Sequence, residues 1–180
     1  MSIGQVISVA SDKKHNFSKI AKQEITLLAN YGVKGDVHAG KKVQHLYDKK
    51  RTPDFQNLRQ VHLIQSELFS ELKEKGMEIL PAQMGENITT LGIDLLSLSS
   101  DTILRIGNVM LKLTGLRKPC LKLNKIHPNL LKSVIEKKTD GTLYYKSGVM
   151  AVVITGGVIR KGDTIITIKP AGNYKSLMPL

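Results

Sequence analysis

The only cysteine of the 180-residue chain, Cys120, stands in the run Thr114-Gly115-Leu116-Arg117-Lys118-Pro119-Cys120-Leu121-Lys122. Arg117, Lys118 and Lys122 all fall within three residues of it. A thiol acts as a nucleophile or metal ligand through its thiolate, and nearby cations favour that form when their side chains turn toward the sulfur. Pro119 fixes its own φ and biases Lys118 toward extended backbone, so the chain reaches Cys120 on a stiffened segment that suits a presented thiol. The other reading of a lone cysteine is a small buried hydrophobe, and the local sequence leaves both open.

Two glycine-containing segments could complete a site. Gly32-Val33-Lys34-Gly35-Asp36-Val37-His38-Ala39-Gly40 follows an apolar run. Its glycines permit positive φ and close backbone approach, so peptide N–H groups there can cradle a phosphate. Asp36 and His38 are of metal-ligating type, but no matching ligand cluster with zinc-like spacing accompanies them, so hydrogen bonding is the expected role of His38. Gly85-Glu86-Asn87 offers a carboxylate and an amide on a chain reversal before a strand, and taken alone it reads as a turn.

These groups sit on a strongly basic chain, with 27 Lys and Arg against 15 Asp and Glu, a net charge of +12. Such a balance attracts polyanions: nucleic acid, anionic lipid or phosphorylated small molecules. Three Phe, five Tyr and no Trp leave few platforms for stacking unpaired bases, and no zinc-finger or RNA-recognition signature is present, so nucleic acid is not the expected partner. No apolar run approaches the roughly 18 residues that span a bilayer; the longest candidate, Gly148 to Val158, is interrupted by Thr155 and two glycines. The N-terminal residues have neither a basic start nor an apolar signal region, and one cysteine cannot close an intramolecular disulfide. The expected compartment is the cytoplasm.

The elements that must position these residues are mostly strands. Gln5–Ala10 and Glu24–Ala29 are β-compatible runs around the polar segment Ser11–Lys22, and Lys41–Asn57 reads as a long surface loop. Gln60–Gln65 reads as a buried strand, followed by a helix from Ser66, as N-cap, to Lys75, with Leu68, Phe69 and Leu72 on one face and Gly76 closing it. Thr102–Thr114 is the clearest hairpin, turning at Gly107-Asn108 with Val109, Leu111 and Leu113 on an apolar face. A second helix is expected over Pro128–Lys138, with Pro128 at its first position. Gly148–Ile168, punctuated at Gly156-Gly157 and Lys161-Gly162-Asp163, reads as an antiparallel meander. Many strands and two or three short helices point to a mainly β chain closed into a barrel, which removes exposed edges.

Taken in order, His15-Asn16-Phe17-Ser18-Lys19, Gly32 to Gly40, Asn57-Leu58-Arg59-Gln60-Val61-His62-Leu63, Gly85-Glu86-Asn87, Arg117-Lys118-Pro119-Cys120 and Gly156-Gly157 to Lys161-Gly162-Asp163 resemble the standalone MOSC proteins, relatives of the C-terminal domain of molybdenum cofactor sulfurases. The likeness treats residues 1–180 as a single MOSC domain. Before Gly85-Glu86-Asn87 the family tends to carry a further glycine, where this chain has Pro81-Ala82-Gln83-Met84. The resemblance implies a closed antiparallel β-barrel of the pyruvate kinase barrel type and a role in molybdenum cofactor chemistry. It gives Cys120 two uses: sulfur carriage as a persulfide, or ligation of molybdenum in the reduction of N-hydroxylated compounds, with Arg117 as its catalytic neighbour. The cofactor is a phosphorylated pterin, which gives the positive charge an anion to meet. Lys34, Gly35, Asp36, His38, Gly40, Arg59, Gly85, Glu86 and Asn87 are the expected cofactor-binding positions, converging with Arg117 around Cys120. The chain is too short to hold the pyridoxal phosphate domain of full-length sulfurases, so no PLP is expected on it. A separate cysteine desulfurase would load the thiol, or a separate electron-donor protein would serve the reductase. The competing reading, of another class, is a non-catalytic basic module that binds nucleic acid or a protein.

Overall fold

The computed structural model describes residues 2–180, with side chains for all of these but 46–48. Its strands are β1 (Ile3–Ser11), β2 (Ile20–Lys22), β3 (Glu24–Leu28), β4 (Gly32–Val33), β5 (Val61–Gln65), β6 (Ile88–Leu91), β7 (Ile103–Ile106), β8 (Val109–Leu116), β9 (Ile135–Lys137), β10 (Leu143–Tyr145), β11 (Val149–Thr155), β12 (Gly157–Arg160) and β13 (Thr164–Ile168). Three short helices, α1 (Leu46–Arg51), α2 (Glu67–Glu74) and α3 (Leu130–Ser133), lie among them.

Seven strands close into a barrel in the order β13-β7-β8-β11-β5-β6-β1, with β1 returning to β13 through Ile3 opposite Ile166 and Gln5 opposite Thr164. The period-two pattern of β8 explains its place: Val109, Leu111 and Leu113 are buried while Met110, Lys112 and Thr114 are half-exposed. Its partner β7 is joined through Gly107, whose φ of 56° supplies the reversal. Every barrel pairing is antiparallel except β5 with β6, which run parallel from Leu63 opposite Ile88 to Gln65 opposite Thr90. Parallel neighbours need a crossover, and α2 is part of it. Leu68, Phe69 and Leu72 face inward, as their spacing requires, and Gly76 ends the helix at φ 77°. Ser66 makes no capping bond; the first-turn Glu67 accepts instead from the Gly92 N–H at 2.7 Å.

Two apolar clusters result. One fills the barrel with residues such as Val6, Leu63, Leu104, Leu111 and Val153. The other lies outside it and joins α2 to Met77, Ile79, Met84, Leu123, Leu130 and Val134, with Phe17 packed against its edge. This second cluster anchors the segments that carry the functional residues.

Four sequence expectations change. The helix expected over Pro128–Lys138 covers only α3; the chain then extends into β9, which pairs with β10 across the Thr139–Gly141 turn, where Asp140 Oδ1 accepts from the Thr142 N–H at 2.9 Å. The β-branched pair Val134-Ile135 and a hairpin turn outweigh the helical spacing of the leucines. Lys41–Asn57 is no featureless loop, since it contains α1. The polar stretch before β3 includes β2, paired to the end of β1. The last third is no meander: β11 pairs with β5 and β8, β12 with β3, and β13 with β7 and β1. At Gly156 the backbone passes so close to Leu27 that a Cβ would stand 2.6 Å from its carbonyl oxygen, which takes the chain out of the barrel into the small sheet β12-β3-β4.

Candidate functional site

Cys120 is exposed, in extended conformation (φ −133°, ψ 165°), at the start of a 3-10 turn over Leu121–Lys125. Its carbonyl accepts from the Leu123 N–H at 3.0 Å, and Leu123 drops into the outer apolar cluster, so the thiol stands on a fixed base. Of the two readings of the lone cysteine, the presented thiol is the one observed.

Arg117 leaves the end of β8 with both backbone groups tied: its N–H donates to Gly148 O at 2.9 Å and its carbonyl accepts from Ser147 Oγ at 2.8 Å. The guanidinium lies over the Phe17 ring, 5.3 Å from its centroid. Its Nη1 is buried without a hydrogen-bond partner. Burial draws the Arg117 pKa down; Cys120 and the Glu86 carboxylate oppose that, and the Arg59 charge adds to it. Cys120, Glu86 and Arg59 thus all act on the Arg117 guanidinium.

Glu86 is 1% exposed. Its Oε1 accepts from the Ala82 N–H at 2.5 Å and from Thr89 Oγ1 at 3.2 Å, while Oε2 is buried with no partner. Burial raises its pKa, against the pull of those hydrogen bonds and of Arg117. Gly85 turns at φ 83°, and a Cβ there would stand 2.6 Å from Phe17 O, so this position requires glycine. Ala82 also has a positive φ, 73°, in the Pro81-Ala82-Gln83-Met84 stretch that leads into this turn.

Asn87 and Asp36 join the two loops. Asn87 Nδ2 donates to Ala10 O at 3.1 Å and to Asp36 Oδ2 at 3.0 Å, and its Oδ1 accepts from the His62 N–H at 3.1 Å. Asp36 Oδ2 also accepts from Lys19 Nζ, and Oδ1 accepts from the His38 N–H at 3.0 Å. Burial would push the Asp36 carboxyl up; hydrogen bonds from His38 and the charge of Lys19 outweigh it and hold the group well below the usual carboxylate range. Burial also draws Lys19 down, with Asp36 opposing. With both its oxygens occupied, Asp36 has the environment of a structural anchor.

His38 is half-buried, its Nδ1 3.4 Å from Asp36 Oδ1 and its ring edge-on to His15, with centroids 5.8 Å apart. Burial, His38, Lys122 and Lys49 all lower the His15 pKa, so the cations of the Cys120 turn and of α1 reach this loop. Asn57 Nδ2 donates to His38 O at 2.9 Å and to Gly40 O at 3.0 Å, and its Oδ1 accepts from the Arg59 N–H at 3.0 Å. That side chain fixes Arg59 against the Gly40 end of the loop. Lys34 and Gly35 are exposed at the loop's near end, and no hydrogen bond or ion pair among the described residues ties them to Arg117 or Cys120. His62 is buried beneath the site and donates from Nε2 to Ser147 O at 2.8 Å; burial and then Arg117 hold its pKa well down, so the ring is neutral.

Sequence reading missed the anchoring done by Lys19, Asn57 and His62, because each acts through a contact far away along the chain. Asp36 and Asn87, expected among the cofactor-binding positions, turn polar groups on one another. Cavities of about 510 and 220 Å³ lie elsewhere, the first between Gly92–Thr102 and Lys169–Tyr174, the second beside Lys112 and Thr114. Among the described residues no three His, Cys, Asp or Glu side chains gather in a metal-binding group.

Comparison with known proteins places this site in context. The MOSC domain family matches residues 32–166. YuaD from Bacillus subtilis superposes with a TM-score of 0.74 at 20% identity, over 92% of this chain and 97% of that one. YiiM from Geobacillus stearothermophilus gives 0.69 at 20% identity, over 96% and 79%, and YiiM from Escherichia coli gives 0.61 at 17%, over 95% and 73%. At these identities the likeness is one of fold. Comparison with curated protein sequences gives no match.

Proposed function

The chain belongs to the MOSC domain family, and on that premise we propose that it holds a molybdenum cofactor, with Cys120 as the protein's ligand to the metal, and reduces N-hydroxylated compounds. The observation that carries this reading is the pair of buried, unpartnered polar atoms, Glu86 Oε2 and Arg117 Nη1, in the group that includes the exposed thiol. An orphaned buried polar group costs about 1–3 kcal/mol, so two of them in one electrostatic group fit a site built for an occupant. The residues present suit this cofactor: one soft thiolate, a guanidinium, and Lys122 and Lys49 for anionic groups.

When bound, the cofactor supplies two-electron redox chemistry. The chain's own residues provide the setting. Cys120 presents sulfur, Arg117 and Arg59 hold negative charge, and Asp36, Asn87 and Asn57 keep the two loops in register. Lys34, Gly35, His38 and Gly40 are the loop positions that would meet the cofactor, and Gly85 lets its turn pass close to the Phe17 backbone. In the overall reaction an N-hydroxylated substrate takes up two electrons and two protons, its N–O bond breaks, and amine and water leave. The electrons come from a separate electron-donor protein and the protons from solvent at the exposed face. No helix among the described residues is long and apolar enough to cross a membrane, and we place this activity in the cytoplasm.

A second reading, sulfur carriage as a Cys120 persulfide loaded by a separate cysteine desulfurase, is favoured by the exposure of the thiol. Molybdenum and pterin analysis of protein from a cofactor-producing host tests the first reading, with Cys120→Ser as control. About one molybdenum per chain, lost in the variant, supports it. Sulfane sulfur on Cys120 without metal would replace it with the second. A chain with neither, which binds RNA with steep salt dependence, would be a basic binding module.

A further inference from the structure

We propose that Glu86 and Arg117 together read the edge of a 2-amino-4-oxopyrimidine ring, taking an N–H on Glu86 Oε2 and giving an N–H from Arg117 to the ring's carbonyl oxygen. The proposal rests on the reading that this chain itself holds the cofactor, whose pterin carries that edge; guanine carries the same one.

The argument begins with why the two groups do not satisfy each other. They are opposite charges that attract, yet no ion pair joins them. Glu86 cannot swing across, because its Oε1 holds the Ala82 N–H at 2.5 Å and Thr89 Oγ1 at 3.2 Å, and those bonds close the turn that ends in Gly85. Arg117 is held by its backbone bond to Gly148 O at 2.9 Å and by the Phe17 ring under its guanidinium. Each keeps one buried polar atom free, an acceptor on Glu86 and a donor on Arg117. A phosphate or other oxyanion matches only the second, since a carboxylate would repel it. The complement of one free acceptor and one free donor is a ligand edge with a donor beside an acceptor, as in the N3–H and C4=O of a pterin.

Fluorescence titration of the whole purified chain, free of cofactor, with 6-methylpterin and with 6-methyl-2,4-diaminopteridine at about pH 7 tests this. In the second compound the 4-oxo acceptor becomes a donor and N3 becomes an acceptor. The wild type should bind the pterin about ten- to a hundredfold more tightly, the range for one hydrogen bond to a charged group. In Glu86→Gln the Oε1 acceptor stays on Ala82 and an amide donor replaces Oε2, so each compound meets one match and one clash and the preference should disappear. In Arg117→Met, which keeps an apolar side chain on Phe17, pterin binding should fall to the level of the diamino compound. Guanosine in a parallel arm distinguishes the sources: tighter binding than 6-methylpterin assigns the edge to a substrate base, weaker binding to the cofactor. Equal affinities in the wild type, or a preference unchanged in both variants, would mean that the free atoms hold only water and the proposal is wrong. The outcome is separable from the cofactor reading, since molybdenum in the protein with no effect of Glu86→Gln on heterocycle choice sinks this inference alone.

Discussion

Replacing Asp36 with Asn should be among the most damaging isosteric changes this chain can suffer. Lys19 and Asp36 have side chains 4% and 0% exposed, so the substitution leaves an ammonium buried without its counter-charge. Breaking a buried pair from one side costs about 3–5 kcal/mol. The new amide also turns a donor either toward Lys19 Nζ and Asn87 Nδ2, which share Oδ2, or toward the His38 N–H on Oδ1, where the carboxylate accepted from all three. Lys19 can shed part of the cost by losing its proton, which burial already favours, so about 3–4 kcal/mol is expected. For a domain of this size that is a fall in Tm of roughly 6–16 °C. Urea denaturation at about pH 7 reads it directly, and a cycle with Lys19→Met should return a coupling of at least about 1.5 kcal/mol. The pH dependence has a definite sign. The folded Asp36 carboxyl lies below its ordinary value of 3.8, so its contribution is present above that value and fades as pH falls through the folded pKa; in the Asn variant this component is absent. A loss under about 1 kcal/mol with no coupling would falsify the assignment of Asp36 as the anchor of both loops.

Glu86 behaves in the opposite sense. Its folded pKa is raised from 4.5, so its contribution is complete below that value and is lost as pH rises through the folded pKa; Glu86→Gln should remove that slope from a pH series of urea midpoints. Gly85→Ala combines a positive φ of 83° with a Cβ 2.6 Å from a backbone oxygen, and should cost at least about 2 kcal/mol by thermal melting. Cys120→Ser should change Tm by less than the equivalent of about 0.5 kcal/mol, because the thiol is exposed.

The parts of the fold legible in the sequence are those decided locally. The β7–β8 hairpin follows from Gly107-Asn108 and the alternation of Val109, Leu111 and Leu113, and α2 from three apolar residues at helical spacing ahead of Gly76. Pairings decided at long range were not legible. Nothing in Gly148–Ile168 announces that its strands will pair with β8, β3 and β1 rather than with each other. The parallel β5–β6 pair is likewise invisible until the crossover is seen. For the site, the glycines and Cys120 were conspicuous by residue type, while Lys19 and Asn57 look like ordinary polar residues until Asp36, His38 and Gly40 are brought beside them. Ala82 shows the limit of residue type as a guide, since an alanine occupies a left-handed conformation usually left to glycine.

The seam between β1 and β13 has a kinetic meaning. It joins Ile3 to Ile166, far apart along the chain, so on a ribosome the barrel stays open until β13 has emerged. Until then Val6 and Val9 have only part of their core, and the loop that Lys19 and Asp36 lock together hangs from an unclosed sheet. Contacts of such sequence separation make for slow folding and a prolonged exposure of strand edges. Any ligand that needs the Gly85 turn and the Cys120 turn on a closed barrel can therefore be captured only after β13 has been made, which makes loading a post-closure event and gives a bound ligand the means to hold the seam shut.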